Sequence, residues 1–177
     1  KIISNAPSLS EITPIVLICS PAFGLLAILF MFSIRLGTKT AKFTGLTPSF
    51  QIILAALICG SIGIFVPQIL GLGTNEMNNI FADQYELLFL LIILLGKILM
   101  TSLCIGFGFF GGIFAPALYV GAAGGGLLAK VILFFGFSVS LPALALAGTA
   151  AIGAVAIGAP IATTLIILEF TGSYEFA

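Results

Sequence analysis

The chain has 177 residues, of which 60% are hydrophobic and 7% are charged, and its formal net charge is zero. Because soluble domains carry about a quarter charged residues, this composition excludes a water-soluble fold. With no basic patch beyond one small cluster, it also excludes a nucleic-acid-binding protein.

Four stretches without Asp, Glu, Lys or Arg predict membrane spans. They are Ile12–Ile34, Phe43–Asn75, Ile98–Ala129 and Val131–Leu168. About 20 apolar residues cross a bilayer as one helix, so the sequence predicts an all-α, multi-pass integral membrane protein. We treat residues 1–177 as a single region and expect it to be a piece of a longer protein, incomplete at both ends.

The first predicted span is Glu11–Ile34. Pro14 suits its first turn, where a missing N–H costs no hydrogen bond, whereas Pro21 lies deeper, where proline kinks a helix. A short loop with Arg35, Lys39 and Lys42 follows. The positive-inside rule assigns this loop to the cytoplasm.

The second predicted span is Phe50–Val66, which ends in the glycine-rich stretch VPQILGLGTN. Residues 76–86 contain Glu76, Asp83 and Glu86 and are predicted to form a weakly acidic loop on the opposite side of the membrane. Leu87–Ile105 is predicted as a long apolar helix that is interrupted by one charge, Lys97.

The later elements are short and rich in small residues. After the stretch GFFGGIFAP at 108–116, Gly121 and Gly125 form a small-residue face for close helix contact. Leu144–Ile157 is the next predicted helix, and Pro160 begins the last one. Short hydrophobic segments broken by Gly and Pro predict tilted, discontinuous helices, which in transporters form binding sites near the midplane.

The break at GFFGGIFAP predicts an anion site. Non-helical backbone at membrane depth must be buried in protein or line an aqueous cavity. We expect Gly108, Gly111 and Pro116 to shape a turn and a helix start near residue 113. The free N–H groups of Gly112, Ile113 and Phe114 would then attract an anion weakly enough to release it. On these residues alone, a packing role for the glycines and the proline remains an alternative.

Other residue types narrow the chemistry. The chain has no histidine, which removes histidine-based zinc sites and Ser-His catalysis, so we predict neither an enzyme nor a metal site. Cys19, Cys59 and Cys104 are far apart in sequence and have no CxxC spacing. They are interpreted as buried thiols, which behave as small hydrophobic side chains.

Three segments resemble the CLC family of chloride channels and proton–chloride exchangers. GKILMTSLCIGFGFFGGIFAPALYVGAAGGGLLA, at 96–129, is similar to the family pattern of a basic residue, a Thr/Ser-rich helix and GxxGGxFxPxLxxGAxxG. GAPIATTLIILEFTGSYE, at 158–175, is similar to the later segment RAPLTxxxLxxExTGxY, and GIFVPQILGLG, at 63–73, resembles the segment before the basic helix. The resemblance covers essentially the whole chain.

This resemblance implies the C-terminal half of a CLC-type transmembrane domain, built as one of two inverted halves. It implies a homodimer in the lipid bilayer with one pore in each subunit, and chloride as both ligand and substrate, with protons as a second substrate in exchangers. No other cofactor is implied. It places chloride on the backbone N–H groups of Ile113 and Phe114, with Gly111 and Gly112 shaping the turn.

The chain departs from the family pattern at several points. The serine motif GSGIP and the gating-glutamate motif GxEGP are absent, and Gly158 stands where many members have arginine. We therefore expect this chain to hold about one third of the anion site. Glu169 is expected to have a structural role, and Thr163 and Thr164 are expected to bond back within their helix.

Lys97 admits two interpretations. It is expected to face the aqueous approach to the pore and to raise the local chloride concentration, or to be a snorkelling or carboxylate-paired lysine.

Three other functions compete with chloride passage. They are secondary transport of another anion such as fluoride or nitrate, a membrane-embedded enzyme and a membrane scaffold without transport.

Overall fold

The computed structural model describes the backbone of residues 9–171 and the side chains of residues 13–165. Seven α-helices and one 3-10 turn lie in the described part, which contains no β-strand. In chain order they are α1 (Leu9–Phe43), α2 (Pro48–Phe65), the 3-10 turn Pro67–Ile69, α3 (Thr74–Phe81), α4 (Leu87–Gly106), α5 (Phe114–Phe134), α6 (Leu141–Ile157) and α7 (Pro160–Thr171). The predicted all-α fold is confirmed.

Four helices of the described part, α1, α2, α4 and α5, are long and apolar enough to cross a membrane. Large apolar side chains cover the outside of the described chain, and Leu57, Ile64 and Phe65 on α2 are among the most exposed. A surface of this kind is stable against lipid or against further membrane-embedded protein, and the chain is accordingly an integral membrane segment.

α1 is longer than predicted. It has 35 residues, or about 52 Å at a rise of 1.5 Å per residue, and it begins earlier than residue 11, so that Pro14 and Pro21 both lie inside it. The predicted basic loop is wrong, because Arg35, Lys39 and Lys42 lie in the last turns of this helix. Basic residues at a helix C-terminus interact favourably with the helix dipole.

A second predicted loop is also partly helical. Within the acidic stretch 76–86, the structure has the C-terminal part of the eight-residue helix α3. Met77 and Ile80 form its buried face, and the hydroxyl of Tyr85 donates a hydrogen bond to Glu76. Burial and this bond raise the pKa of Tyr85 above its usual value. The amphipathic spacing of Met77 and Ile80 was concealed by the acidic residues around them.

The core forms around α5, which packs against α1, α3, α4 and α6. The predicted close contact through Gly121 and Gly125 is confirmed. A Cβ on Gly121 would lie 2.6 Å from the Cα of Thr149, and a Cβ on Gly125 would lie 2.6 Å from the Cα of Ala145. The backbones of α5 and α6 therefore touch, and α6 begins three residues before the predicted Leu144, with Pro142 in its first turn.

α1 and α4 cross with a similar backbone contact. A Cβ on Gly106 would lie 2.6 Å from the carbonyl oxygen of Gly37, and Ser102 Oγ donates to the carbonyl of Ser33 one turn away. This crossing fixes the end of α4, where the helix break begins.

Candidate functional site

The predicted break separates α4 from α5. Residues 107–113 lie outside any helix, and Gly108 has a φ of 92°, in the left-handed region that glycine favours. The N–H of Phe109 donates to the carbonyl of Cys104 at 2.9 Å. These contacts end α4 and turn the chain before α5 begins.

The N-terminus of α5 follows directly. Ile113 is the N-cap residue, with φ −81° and ψ −12°, and no side chain caps the helix. The first backbone bond is donated by the N–H of Ala117 to the carbonyl of Ile113, at 3.0 Å. Within the described residues, the N–H groups of Gly112, Ile113 and Phe114 donate to no backbone carbonyl. They are free to bind an acceptor, as the first N–H groups of a helix generally are. Pro116 lies in the first turn of α5, as predicted.

Gly111 and Gly112 are not constrained by the rest of the described chain. Both are exposed, neither has a positive φ, and a Cβ on either would meet no atom within 4 Å. The sequence suggested a tight turn at Gly111 and Gly112. In the described part of the chain, the turn is made at Gly108 instead. The space next to Gly111 and Gly112 is therefore open within the described chain.

A cavity of about 260 Å³ lies beside the break. Gly111, Gly112 and Pro116 form one wall, and Lys97 and Thr101 of α4 form another. Ile69, Leu70 and Gly71 close a third side. The structure thus brings the predicted break and the predicted lysine to a single cavity, although 14 residues separate Lys97 from Gly111 in the sequence.

Lys97 is buried, with 3% of its surface exposed. Its Nζ donates to the carbonyl of Ile69 at 3.0 Å and to that of Gly71 at 2.7 Å. Nζ also lies 4.8 Å from the centroid of the Tyr119 ring. No carboxylate pairs with Lys97 among residues 13–165, where Lys130 and Asp83 form an ion pair instead. Because it is buried, the lysine does not snorkel to the interface, and its amino group forms part of the cavity wall.

Tyr119 holds the same loop from α5. Its hydroxyl donates to the carbonyl of Gln68 at 3.1 Å, and its ring packs against Gly73, which has a φ of 77°. Lys97 and Tyr119 therefore fix the loop between α2 and α3 as one side of the cavity. Sequence reasoning missed this role of Tyr119, because nothing local in the sequence pairs it with Gln68.

The two thiols Cys59 and Cys104 also meet at this cavity. They lie on α2 and α4, 45 residues apart, and their sulfur atoms are 3.3 Å from each other. Both are partly buried and both line the cavity. The sequence interpretation as buried thiols holds for Cys19, which is buried elsewhere, whereas Cys59 and Cys104 are only partly buried and contact each other.

The segment at Gly158 lies outside the cavity. Gly158 is the C-cap of α6, with a φ of 71°, a conformation for which glycine is the usual residue. α7 begins at Pro160 as predicted. Thr163 and Thr164 bond back to the carbonyls of Ala159 and Pro160 at 3.1 and 2.9 Å, as expected. The Glu169 side chain is outside the described residues.

Comparison with known proteins agrees with the geometry. The family model for voltage gated chloride channels matches residues 2–177. An H(+)/Cl(-) exchange transporter ClcA of Vibrio cholerae serotype O1 is 33% identical over 178 aligned positions, which cover 97% of this chain and 38% of the relative. ClcA proteins of Salmonella agona and Klebsiella pneumoniae are each 32% identical over 120 positions, covering 67% of this chain and 25% of the relative. The chain thus spans well under half the length of these curated relatives.

Proposed function

The chain belongs to the voltage gated chloride channel family, and we propose that, within the complete protein, it supplies part of a pathway for chloride across the membrane. One observation carries the proposal. The uncapped N-terminus of α5 presents unpaired backbone N–H groups next to a cavity that also contains Lys97.

The chemistry of this arrangement suits passage better than storage. A helix N-terminus carries about half a positive charge, and backbone N–H groups bind an anion without the full charge of a cation. Lys97 adds attraction, but two carbonyl oxygens already occupy its ammonium group, which lowers its tendency to hold an anion permanently. Chloride would therefore be attracted and released, as conduction requires.

The remaining features of the complete protein follow as part of the same proposal. A second membrane half would face the open side of the cavity at Gly111 and Gly112 and supply the other ligands of the anion. The complete protein would be a homodimer with a pore in each subunit, and protons would be exchanged for chloride if it shares the activity named for its ClcA relatives.

Ile113 allows the amide itself to be tested. Ile113→Pro removes one N–H, and the native φ of −81° lies at the edge of the range that proline adopts. The substitution breaks no backbone hydrogen bond of the described chain, because this N–H donates to none. Ile113→Ala is the matched control, since it removes the side chain and keeps the N–H.

The measurement is chloride binding to the full-length protein by calorimetry, with chloride flux into liposomes in parallel. A hydrogen bond to a charged group contributes about 1.5–3 kcal/mol, so Ile113→Pro should weaken chloride binding roughly ten- to hundredfold relative to Ile113→Ala. In Ile113→Pro, the anomalous scattering peak of bromide at this position should also disappear. Equal affinities of the two variants would refute the assignment, and flux of nitrate or fluoride in preference to chloride would replace chloride as the substrate.

A further inference from the structure

Cys59 and Cys104 form a thiol pair that the proposed anion chemistry does not use. The two sulfur atoms are 3.3 Å apart, and a disulfide bond is about 2.05 Å long. The sulfur atoms would therefore need to approach by little more than about 1 Å. Cys19, on α1, lies in a different apolar cluster with Phe23 and Leu144, so the pair is specific to these two residues.

α2 is free enough to make this approach. Of its 18 residues, only Ala55 and Gly63 are buried, and a Cβ on Gly60, next to Cys59, would meet no atom within 4 Å. Cys104 lies on α4, which buries eight of its residues and crosses α1 in backbone contact. A small movement of α2 toward a fixed α4 would bring the sulfur atoms into bonding distance.

The surroundings also favour reaction. Both thiols line the cavity, which gives a small polar oxidant a route to them. Neither thiol is fully buried, so an oxidant that enters the cavity can reach both sulfur atoms.

We propose that Cys59 and Cys104 are an oxidation site, at which a peroxide converts two thiols into an intramolecular disulfide. One thiolate attacks a peroxide oxygen, the O–O bond breaks, and a sulfenic acid and water form once a proton is taken up. The second thiol then attacks the sulfenic sulfur, the S–S bond forms, and a second water leaves. Two thiols lose two electrons and two protons, and the peroxide accepts them.

The disulfide would act on the anion cavity. The carbonyl of Cys104 accepts the N–H of Phe109 at the start of the helix break, and both cysteines lie in the cavity wall. Tying α2 to α4 narrows the cavity at this wall, so anion flux should fall several-fold on oxidation. This consequence rests on the proposed function, whereas the disulfide itself does not.

The test treats the full-length protein in detergent with hydrogen peroxide, blocks remaining thiols with N-ethylmaleimide, and maps the peptides by mass spectrometry. We expect the peptide with Cys59 to be linked to the peptide with Cys104, with the loss of two hydrogen atoms, and dithiothreitol to reverse the link. Cys59→Ala and Cys104→Ala should each abolish the linked species, and the control Cys19→Ala should retain it.

The outcomes separate the two ideas. The oxidation site is refuted if N-ethylmaleimide still alkylates both Cys59 and Cys104 after a peroxide exposure that fully oxidises free glutathione. It is also refuted if the two cysteines become sulfinic acids without linking. In liposomes, a linked protein with undiminished chloride flux would refute the narrowing of the cavity. A reduced protein without any anion flux would refute the proposed function, while the linked peptides would still establish the thiol pair.

Discussion

The backbone contact between α5 and α6 makes Gly121 intolerant of even one methyl group. In Gly121→Ala, the new Cβ would overlap the carbonyl oxygen of Gly148 and lie 2.6 Å from the Cα of Thr149, whereas ordinary contacts begin at 3.4 Å. The neighbours are backbone atoms, so no side-chain rotation relieves the overlap. The two helices must separate by about 1 Å along their contact.

The expected cost follows from these distances. Overpacking a tight core costs about 1–3 kcal/mol, and the purely backbone overlap places Gly121→Ala at about 2–3 kcal/mol of that range. Alanine recovers up to about 1 kcal/mol through its higher helix propensity, which leaves a net loss of about 1–2 kcal/mol. The midpoint of thermal unfolding falls about 2–4 °C per kcal/mol for 150–250 residues and less for a longer chain, so for the full-length protein we expect a drop of up to about 8 °C.

Gly60→Ala is the matched control, because Gly60 is also inside a helix and a Cβ there meets nothing within 4 Å. It should raise the midpoint slightly, since only the helix propensity changes. Thermal unfolding of the full-length variants in detergent, followed by far-UV circular dichroism, gives both values. A midpoint for Gly121→Ala at or above that of the unsubstituted protein, or an equal fall for Gly60→Ala, would refute the close packing of α5 on α6.

Two further predictions concern charged residues. Lys97→Met should lower chloride transport most at low chloride concentration, because it removes the basic group from the cavity wall. The control Lys130→Met removes an ion-paired lysine elsewhere and should leave the dependence on chloride concentration unchanged. Flux is measured over a range of chloride concentrations, and an unaltered dependence for Lys97→Met would count against a role of Lys97 in attracting chloride. Asp83 has a φ of 54° and pairs with Lys130 at 2.6 Å. Asp83→Asn removes the ion pair and should lower the free energy of unfolding by at most about 1 kcal/mol. Asp83→Ala should lower it by about 1 kcal/mol more, because alanine is strained in the left-handed region. Equal unfolding midpoints for these two variants would contradict the backbone argument.

Much of the fold was predictable because hydrophobic length and helix breakers act locally. Leu87–Ile105 was placed to within one residue of α4, and the break and the start at Pro160 were found. The continuation of α1 through Arg35 to Phe43 was not, since charged residues were taken to end a span. The helix continues there, and Gly37 in this part of it lies in backbone contact with Gly106 of α4.

The candidate site was predictable only in its local part. The motif GFFGGIFAP carries its own turn and helix start, so the position of the free amides could be inferred. The partners of Lys97 could not, because the carbonyls of Ile69 and Gly71 are backbone groups from a loop 26 to 28 residues away. The proximity of Cys59 and Cys104 likewise depends on how α2 rests on α4, which no spacing in the sequence encodes.

The crossing of α1 and α4 has an electrostatic consequence. Gly37 touches Gly106 and stands two residues from both Arg35 and Lys39, a rise of about 3 Å along the helix axis. Both basic side chains are exposed, so along α1 these two residues flank the contact at which the helix break begins. Added salt screens exposed charges beyond about 8 Å at physiological ionic strength. Anions approaching from this side should therefore arrive faster in dilute than in concentrated salt.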